Sequence, residues 1–281
     1  MHLDFSLILV LATLITGLVW LLDKLLLKKR RDASRFKDNK PGLVVEYSNS
    51  FFPVLALVLL LRSFLFEPFQ IPSGSMLPTL QIGDFILVNK YSYGVRLPVV
   101  HTRIIEVASP KLGDVAVFRY PLDERSNYIK RIIGTAGDKI SYENSQLYLN
   151  GEPIERKLLQ KSPAEAPKED LWQEQLGDVS YSVYNYPLPT YNFPEFVVPK
   201  GYYFVMGDNR DHSNDSRFWC QAQAQYEQGC LIIPGYKNNR GEPLVMGFVP
   251  EENLVGRAFA VWMHWPKLLS LPKFGDVRTI E

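Results

Sequence analysis

Two long apolar runs with a basic stretch between them constrain this chain more than any other feature. The first, Phe5 to Leu22, carries only Ser, Thr and Gly as polar interruptions. Its eighteen residues are about the minimum for a helix across a ~30 Å hydrocarbon core. A cleavable export signal has positive charge ahead of its apolar run and a small-x-small site behind it. Here Asp4 precedes the run and Trp20, Leu21, Leu22 and Asp23 end it, so a retained anchor is expected. The second run, Phe51 to Phe66, contains Pro53 and Arg62. Arg62 lies near one end, where its head can reach the polar lipid layer. A buried helix of a soluble core is the competing reading. Residues 23–40 hold eight Lys or Arg (Lys24, Lys28, Lys29, Arg30, Arg31, Arg35, Lys37, Lys40) against three acids. A short loop this basic stays cytoplasmic, which puts residues 1–4 and everything after Phe66 on the far side. A nucleic-acid patch is the other reading of such a run. Lys+Arg total 31 against 30 Asp+Glu, without the basic excess of a chain that lives on nucleic acid.

Residues 67–281 contain no further run long enough to span. Phe85 to Val88, Val115 to Phe118, Tyr128 to Ile133 and Tyr202 to Met206 read as strands, and Ala258 to Met263 as a late buried strand. Leu147-Tyr-Leu149 followed by Asn150-Gly151 signals a hairpin, because Asn-Gly tolerates positive φ. Twenty Pro residues argue against long helices, and the expected class is mostly β. Two insertions are expected, at about 143–196 and 220–246. Residues 160–196, rich in Pro, Glu, Gln and Tyr, read as loop-rich, and 220–246 as irregular. The layout is then a first transmembrane anchor at 1–22, a basic cytoplasmic loop at 23–48, a second transmembrane helix at 49–66 and a large exterior domain at 67–281. Cys220 and Cys230 fit neither C-x-x-C redox chemistry nor a metal pair. In an exported domain a disulfide is the simple reading.

Three segments carry chemistry. Ile71-Pro-Ser-Gly-Ser-Met-Leu-Pro-Thr79 places two serines around a glycine, directly after the second apolar run. Alone it is a polar turn, and a serine nucleophile needs a base. His2, His101, His212 and His264 stand in no triad-like context and read as surface or loop histidines. Lysine serves as a base where burial lowers its pKa from about 10.4. Lys130, in Asn127-Tyr-Ile-Lys-Arg-Ile-Ile133, is the candidate, although a strand lysine usually faces solvent. The third segment is Gly207-Asp-Asn-Arg-Asp-His-Ser-Asn-Asp-Ser-Arg217. Its arginines argue against a calcium site, and a loop that buttresses another site by ion pairs fits better.

Taken together and in order, Ile71-Pro-Ser-Gly-Ser-Met, Tyr128-Ile-Lys-Arg and Gly207-Asp-Asn-Arg-Asp…Ser213…Asp215-Ser-Arg217 closely resemble the bacterial signal peptidase I (leader peptidase) family. The likeness extends to Arg62-Ser-Phe, Glu67-Pro-Phe-Gln, Gly83-Asp-Phe-Ile-Leu-Val, Gly113-Asp-Val, Gly137-Asp-Lys and Asn253-Leu-Val-Gly-Arg257. It covers most of residues 50–142 and 197–265 and includes the two-span amino-terminal layout. The resemblance implies a multi-pass protein of the inner (cytoplasmic) membrane, with its N-terminus and a β-rich catalytic domain on the periplasmic side. It implies a serine endopeptidase that removes signal peptides from exported preproteins after small-x-small motifs, with no metal and no cofactor. The implied partners are those preproteins and membrane lipids, not nucleic acid.

Matched by motif, Ser75 is expected as nucleophile, Lys130 as general base, and Ser73 with the Ser75 amide as the oxyanion hole. Ser213 matches a residue that hydrogen-bonds and orients the lysine. Asp215 with Arg217, and Arg131 with Asp208, match supporting ion pairs. Phe69, Ile71, Pro72, Met76, Leu80, Tyr128 and Ile129 match the lining of a substrate groove. Ser75 lies nine residues beyond Phe66, at most ~30 Å of extended chain, so the nucleophile is expected near the membrane surface. Two departures stand out. Residues from Cys220 to Met246 interrupt a segment that is continuous in relatives, and His212 stands where Asn is common.

Rival readings fare worse. A penicillin-recognising enzyme needs Ser-x-x-Lys, and Ser34-Arg-Phe-Lys37 falls in the basic loop with no Ser-Asp-Asn or Lys-Thr-Gly partner. Self-cleaving repressors share the serine–lysine logic but lack two apolar spans. A non-enzymatic anchored β domain acting as scaffold or chaperone would be unaffected by loss of Ser75.

Overall fold

The computed structural model describes residues 5–27, 41–96, 103–105, 107–188, 191–220, 229–238, 240–266 and 270–281. Most of the basic loop, Lys28 to Lys40, lies outside them, as do His2 and His101. The chain divides into two compact units, Met1–Phe66 with Val95–Ile105, and Glu67–Gly94 with Glu106–Glu281.

In the first unit a helix spans Phe5–Leu22 and continues as a π-helical turn at Asp23–Leu27. Its hydroxyls bond back along the helix, Thr13 Oγ1 to Leu9 O and Thr16 Oγ1 to Ala12 O, each at 2.7 Å. The backbone and hydroxyls of such a helix need no water. The second helix runs Leu43–Phe64, so its start differs from the expected residue 49. Composition draws the edge at Glu46, Ser48 and Asn49, whereas a helix once nucleated propagates through polar residues. Its end falls short of Phe66, which opens the strand Phe66–Gln70. Pro68 disfavours helical backbone at Glu67. The helices meet closely at Gly17, where a Cβ would lie 2.7 Å from the Phe52 ring. Trp20 packs on Phe52 at 5.1 Å, and Asn49 Nδ2 donates to Asp23 Oδ2 at 3.4 Å. Leu11, Leu14, Ile15 and Leu18 stay exposed. Both helices are long and apolar enough to cross a membrane.

The second unit is mostly β. Its main sheet has eight strands. In spatial order they are Phe66–Gln70, Asp84–Asn89, Leu254–His264, Val115–Arg119, Asn127–Gly134, Tyr202–Met206 and Val249–Pro250, with Arg278–Thr279 pairing on Leu254–His264. The strands expected from sequence all fall within this sheet or the hairpin at Asn150-Gly151. There Leu149 faces Glu152, and φ is 55° at Asn150 and 85° at Gly151. Apolar residues fill both faces. One cluster holds Ile71, Met76, Leu80, Val115 and Val117, and another Ala116, Phe118, Ile132, Trp219 and both cysteines.

The described parts of both stretches expected as insertions hold more strand than the sequence suggests. Residues 160–196 are strand-rich: Glu155–Gln160, Asp170–Leu176 and Val179–Asn185 form a three-stranded sheet. Polar residues interleave its apolar ones and hide the period. Yet Leu176, Tyr181, Val183, Phe193 and Phe196 sit in the largest core cluster. In the 220–246 stretch, Cys230–Lys237 pairs with Pro243–Gly247, and Cys230 faces Gly247. Cys220 and Cys230 form a disulfide with Cα atoms 5.6 Å apart. His264, read as a loop or surface residue, instead ends a strand, mostly buried, with Nδ1 2.7 Å from Asp84 Oδ1. His212 is exposed, at 55% of its side chain.

Candidate active site

Ser75 sits in the turn that joins the strand Phe66–Gln70 to Asp84–Asn89. The turn closes on itself through Ile71 N to Asp84 O at 2.8 Å, Gly83 N to Ile71 O at 2.9 Å and Leu80 N to Met76 O at 2.9 Å. Met76 and Leu80, both fully buried, anchor it in the core. Lys130 lies in the strand Asn127–Gly134, opposite Ala116. From Lys130 onward this strand is buried on both faces, so Lys130 and Arg131 enter the interior in opposite directions.

Lys130 Nζ lies 2.7 Å from Ser75 Oγ and 2.9 Å from the Ile129 carbonyl. Burial is the main cause that lowers its pKa, from 10.5 to about 8; Asp215 and Asp208 oppose that shift and Arg217 adds to it. Ser73 Oγ is 3.4 Å from Ser75 Oγ. The 207–217 segment packs against this pair. Arg131 grips Asp208 with two hydrogen bonds, at 2.9 and 2.8 Å, and donates to the carbonyls of Gly113 and Glu281. Arg217 grips Asp215 with two more, both at 2.8 Å. Burial alone would raise the Asp215 carboxyl, but Arg217 and the Gly207 amide outweigh it and hold the group below its usual range.

The lysine makes no hydrogen bond to Ser213. Its bonds go to Ser75 and Ile129, while Ser213 Oγ is buried without a partner of hydrogen-bonding geometry. The Ser213 hydroxyl does add to the pull on the Asp215 carboxylate.

The residues expected to line a groove divide by exposure. Phe69, Tyr128 and Ile129 are half-buried and Pro72 is exposed, whereas Ile71, Met76 and Leu80 are buried. The last three shape any groove from beneath. Tyr128 stacks on Tyr120 at 4.4 Å and meets the Trp219 ring edge-on.

Some contacts had no expectation behind them. The Asn209 amide donates to Ser75 O at 3.1 Å, and its side chain to Gly74 O at 3.1 Å. Thr79 Oγ1 donates to Asp208 Oδ2 at 2.5 Å. A Cβ on Gly207 would lie 2.4 Å from Ser75 O. Asn209 and Gly207 lie in the motif quoted above, but nothing in their spacing marks them as ties to the Ser75 turn. Among the described residues no group of three or more His, Cys, Asp or Glu could hold a metal ion.

The family model for signal peptidase, peptidase S26, matches residues 44–265. Signal peptidase I of Pseudomonas fluorescens is 46% identical, with each chain covered in full. That of Pseudomonas aeruginosa is 44% identical, again over the whole of both chains. A solved signal peptidase I from Enterococcus faecalis is 24% identical, covers 54% of this chain and 98% of its own, and superposes with a TM-score of 0.31. On the family match and the full-length identities, the chain belongs to the signal peptidase I family of proteases, which cleave signal peptides.

Proposed function

We propose that Ser75 is the nucleophile and Lys130 its general base, in a membrane-anchored peptidase that cuts preproteins after small-x-small motifs. One observation carries the reading: the 2.7 Å approach of Nζ to Oγ by a lysine whose pKa is about 8. A base whose pKa lies near working pH combines the right protonation state with proton affinity. Neutral Lys130 accepts the hydroxyl proton as Oγ bonds to the peptide carbonyl carbon, and returns it to the leaving amine. Water then attacks the acyl-enzyme and gives its proton to Lys130, and the bond from Oγ to the acyl carbon breaks as Lys130 passes that proton to the departing Ser75 Oγ. The Ser73 hydroxyl and the Ser75 amide stabilise the oxyanion, and losing one such donor typically costs ~10²–10³ in kcat. Asp208 with Arg131, and Asp215 with Arg217, fix the charges around the base, and Ser213 packs beside them.

Phe69, Pro72, Tyr128 and Ile129 form the groove face, over Ile71, Met76 and Leu80. A groove with so solid a floor leaves room for a methyl group at −1 and −3. Each oversized residue there is expected to cost about 1–3 kcal/mol, or roughly 10- to 200-fold in kcat/KM. The substrates are signal-peptide-bearing preproteins. The helices Phe5–Leu22 and Leu43–Phe64 anchor the protein in the cytoplasmic membrane, with 67–281 on the periplasmic side and no cofactor assigned.

The test is incubation of the detergent-solubilised protein with a preprotein bearing Ala-x-Ala, with the cut site read by mass spectrometry. Cleavage after the second Ala is expected. Ser75→Ala and Lys130→Ala should each abolish nearly all turnover, and their effects should not add, because the two act as one unit. An active Lys130→Ala enzyme would overturn the assignment.

A further inference from the structure

The inserted three-stranded sheet delivers a charged residue to the catalytic loop. Glu174, in the strand Asp170–Leu176, is fully buried. Its carboxylate accepts Arg210 Nη1 at 3.1 Å and Nη2 at 2.5 Å, and the Tyr181 hydroxyl donates to it at 3.1 Å. Arg156 Nε approaches the same carboxylate at 3.8 Å. Arg210 is itself fully buried, two positions after Asp208. Its carbonyl accepts Arg217 Nη2 at 2.6 Å, and Arg217 grips Asp215. The Tyr181 ring lies 4.0 Å from the Arg131 guanidinium, which grips Asp208. Glu174 and Tyr181 therefore reach, one residue removed, both ion pairs that flank Lys130. The neighbouring strand Val179–Asn185 is seated on the same loop, with Tyr184 N donating to Asp208 O at 2.9 Å and Tyr186 N to Asp211 Oδ2 at 2.7 Å.

A buried ion pair adds little net stability compared with apolar residues of the same volume. Removing one partner is different, because the survivor keeps its charge without compensation. Burial works against the charge of Arg210, but Glu174, chief among its neighbours, holds it firmly protonated; Asp208 is among the weaker contributors. Without Glu174, Arg210 has Asp208 as its next carboxylate, and Asp208 is the group that Arg131 holds.

We propose that Glu174, braced by Tyr181, is a positioning residue for the active site. It satisfies Arg210 so that Asp208 and Asp215 stay with Arg131 and Arg217, and Lys130 stays within reach of Ser75. The inserted sheet is then part of the catalytic apparatus although it contributes no reacting group. The inference rests on Lys130 being the base. The groups facing that lysine are Asp215, Asp208, Arg217, the Tyr128 ring and the Ser75 hydroxyl. Drawing Asp208 toward Arg210 removes negative charge from this set, which favours the neutral amine.

The experiment measures kcat and KM against pH for the full chain in detergent, with a preprotein substrate. For Glu174→Gln the expected result is a kcat lower by roughly tenfold or more, as geometric slippage remote from the chemistry produces. KM should stay within about twofold, because the groove is untouched. The midpoint of the ascending limb, where Lys130 loses its proton, should fall, since a carboxylate has been drawn away, and Glu174→Asp, which keeps the charge, should restore it. A cooperatively melting Glu174→Gln protein with wild-type kcat and midpoint overturns the proposal. Should that variant fail to fold, Tyr181→Phe reads the same link, because it removes one of the two hydrogen bonds to Glu174 Oε2 and keeps the ring under Arg131. Its kcat should fall severalfold at constant KM, and an unchanged kcat and profile overturns the proposal equally. A wild-type profile with no limb near pH 8 would defeat the assignment of Lys130 itself. A wild-type limb that Glu174→Gln leaves in place, at full kcat, defeats only the role of Glu174.

Discussion

Burial takes the Lys130 pKa from 10.5 down to about 8, and the same shift acts on stability. Below pH 8 the folded and unfolded chains both hold the proton, and the full cost of burying the charge is present. That cost is about 3 kcal/mol at most, from the size of the shift. Between pH 8 and 10.5 only the unfolded chain binds the proton, so the cost fades as pH rises. Lys130→Met, which fills similar volume without charge, should therefore melt above wild type at pH 7 while losing activity, and the gain should vanish near pH 10.5. A lower melting temperature at pH 7 would mean that the lysine's hydrogen bonds outweigh its desolvation. Gly207 makes the second residue-scale case. An added methyl would press on both Ser213 Oγ, at 2.3 Å, and Ser75 O, at 2.4 Å. The second atom is backbone of the turn that carries Ser75 and cannot rotate away. Gly207→Ala should lower kcat by about 10² through displacement of Ser75. Steady-state kinetics beside thermal melting will separate that effect from unfolding.

Among the elements, the strand Asn127–Gly134 and the turn at 71–80 could be read from sequence, because β-branched and aromatic residues mark the first and paired prolines the second. So could the hairpin at Asn150-Gly151, whose chemistry demands positive φ. The meeting of Ser75 with Lys130 was legible only in combination: neither residue signals it alone, and the three motifs gain meaning from their order. What stayed hidden depends on contacts distant in sequence. Glu174 sits among Gln and Trp in a stretch whose composition suggests a loop, and nothing local says that Arg210 will meet it 36 positions later. The hairpin Cys230–Lys237 with Pro243–Gly247 was obscured likewise, since its partners were assigned to irregular chain. Its disulfide suggests an element-scale test. Closing a loop with a separation of ten contributes about 3 kcal/mol on the chain-entropy model. At roughly 2–4 °C per kcal/mol for a domain this size, Cys220→Ser with Cys230→Ser should lower the melting temperature by about 6–12 °C. Reduction of the wild type should lower it similarly, as calorimetry or near-ultraviolet dichroism will record.

For the whole molecule, the apolar helices and the charge between them predict an orientation. Both helices leave large aliphatic side chains on their surface, an arrangement stable in hydrocarbon and costly in water. Eight Lys or Arg in residues 23–40 make translocation of that loop unfavourable, since short basic loops are retained on the cytoplasmic side. In the predicted orientation two spans return the chain to the opposite side after Phe64, and Ser75 follows within a short stretch of chain. The same orientation places Cys220 and Cys230 in an oxidising compartment, where a disulfide persists. A reporter fused after residue 40 should therefore report cytoplasm, and one fused at the carboxyl terminus should report periplasm. Protease added to spheroplasts should degrade the 67–281 region and spare the basic loop. Reversing the loop charge, with Glu in place of the Lys and Arg at 28–31, should weaken or invert the orientation and leave the disulfide unformed. A carboxyl-terminal reporter active in the cytoplasm of the wild type would reject the orientation, and with it the access of Ser75 to preproteins emerging on the far side.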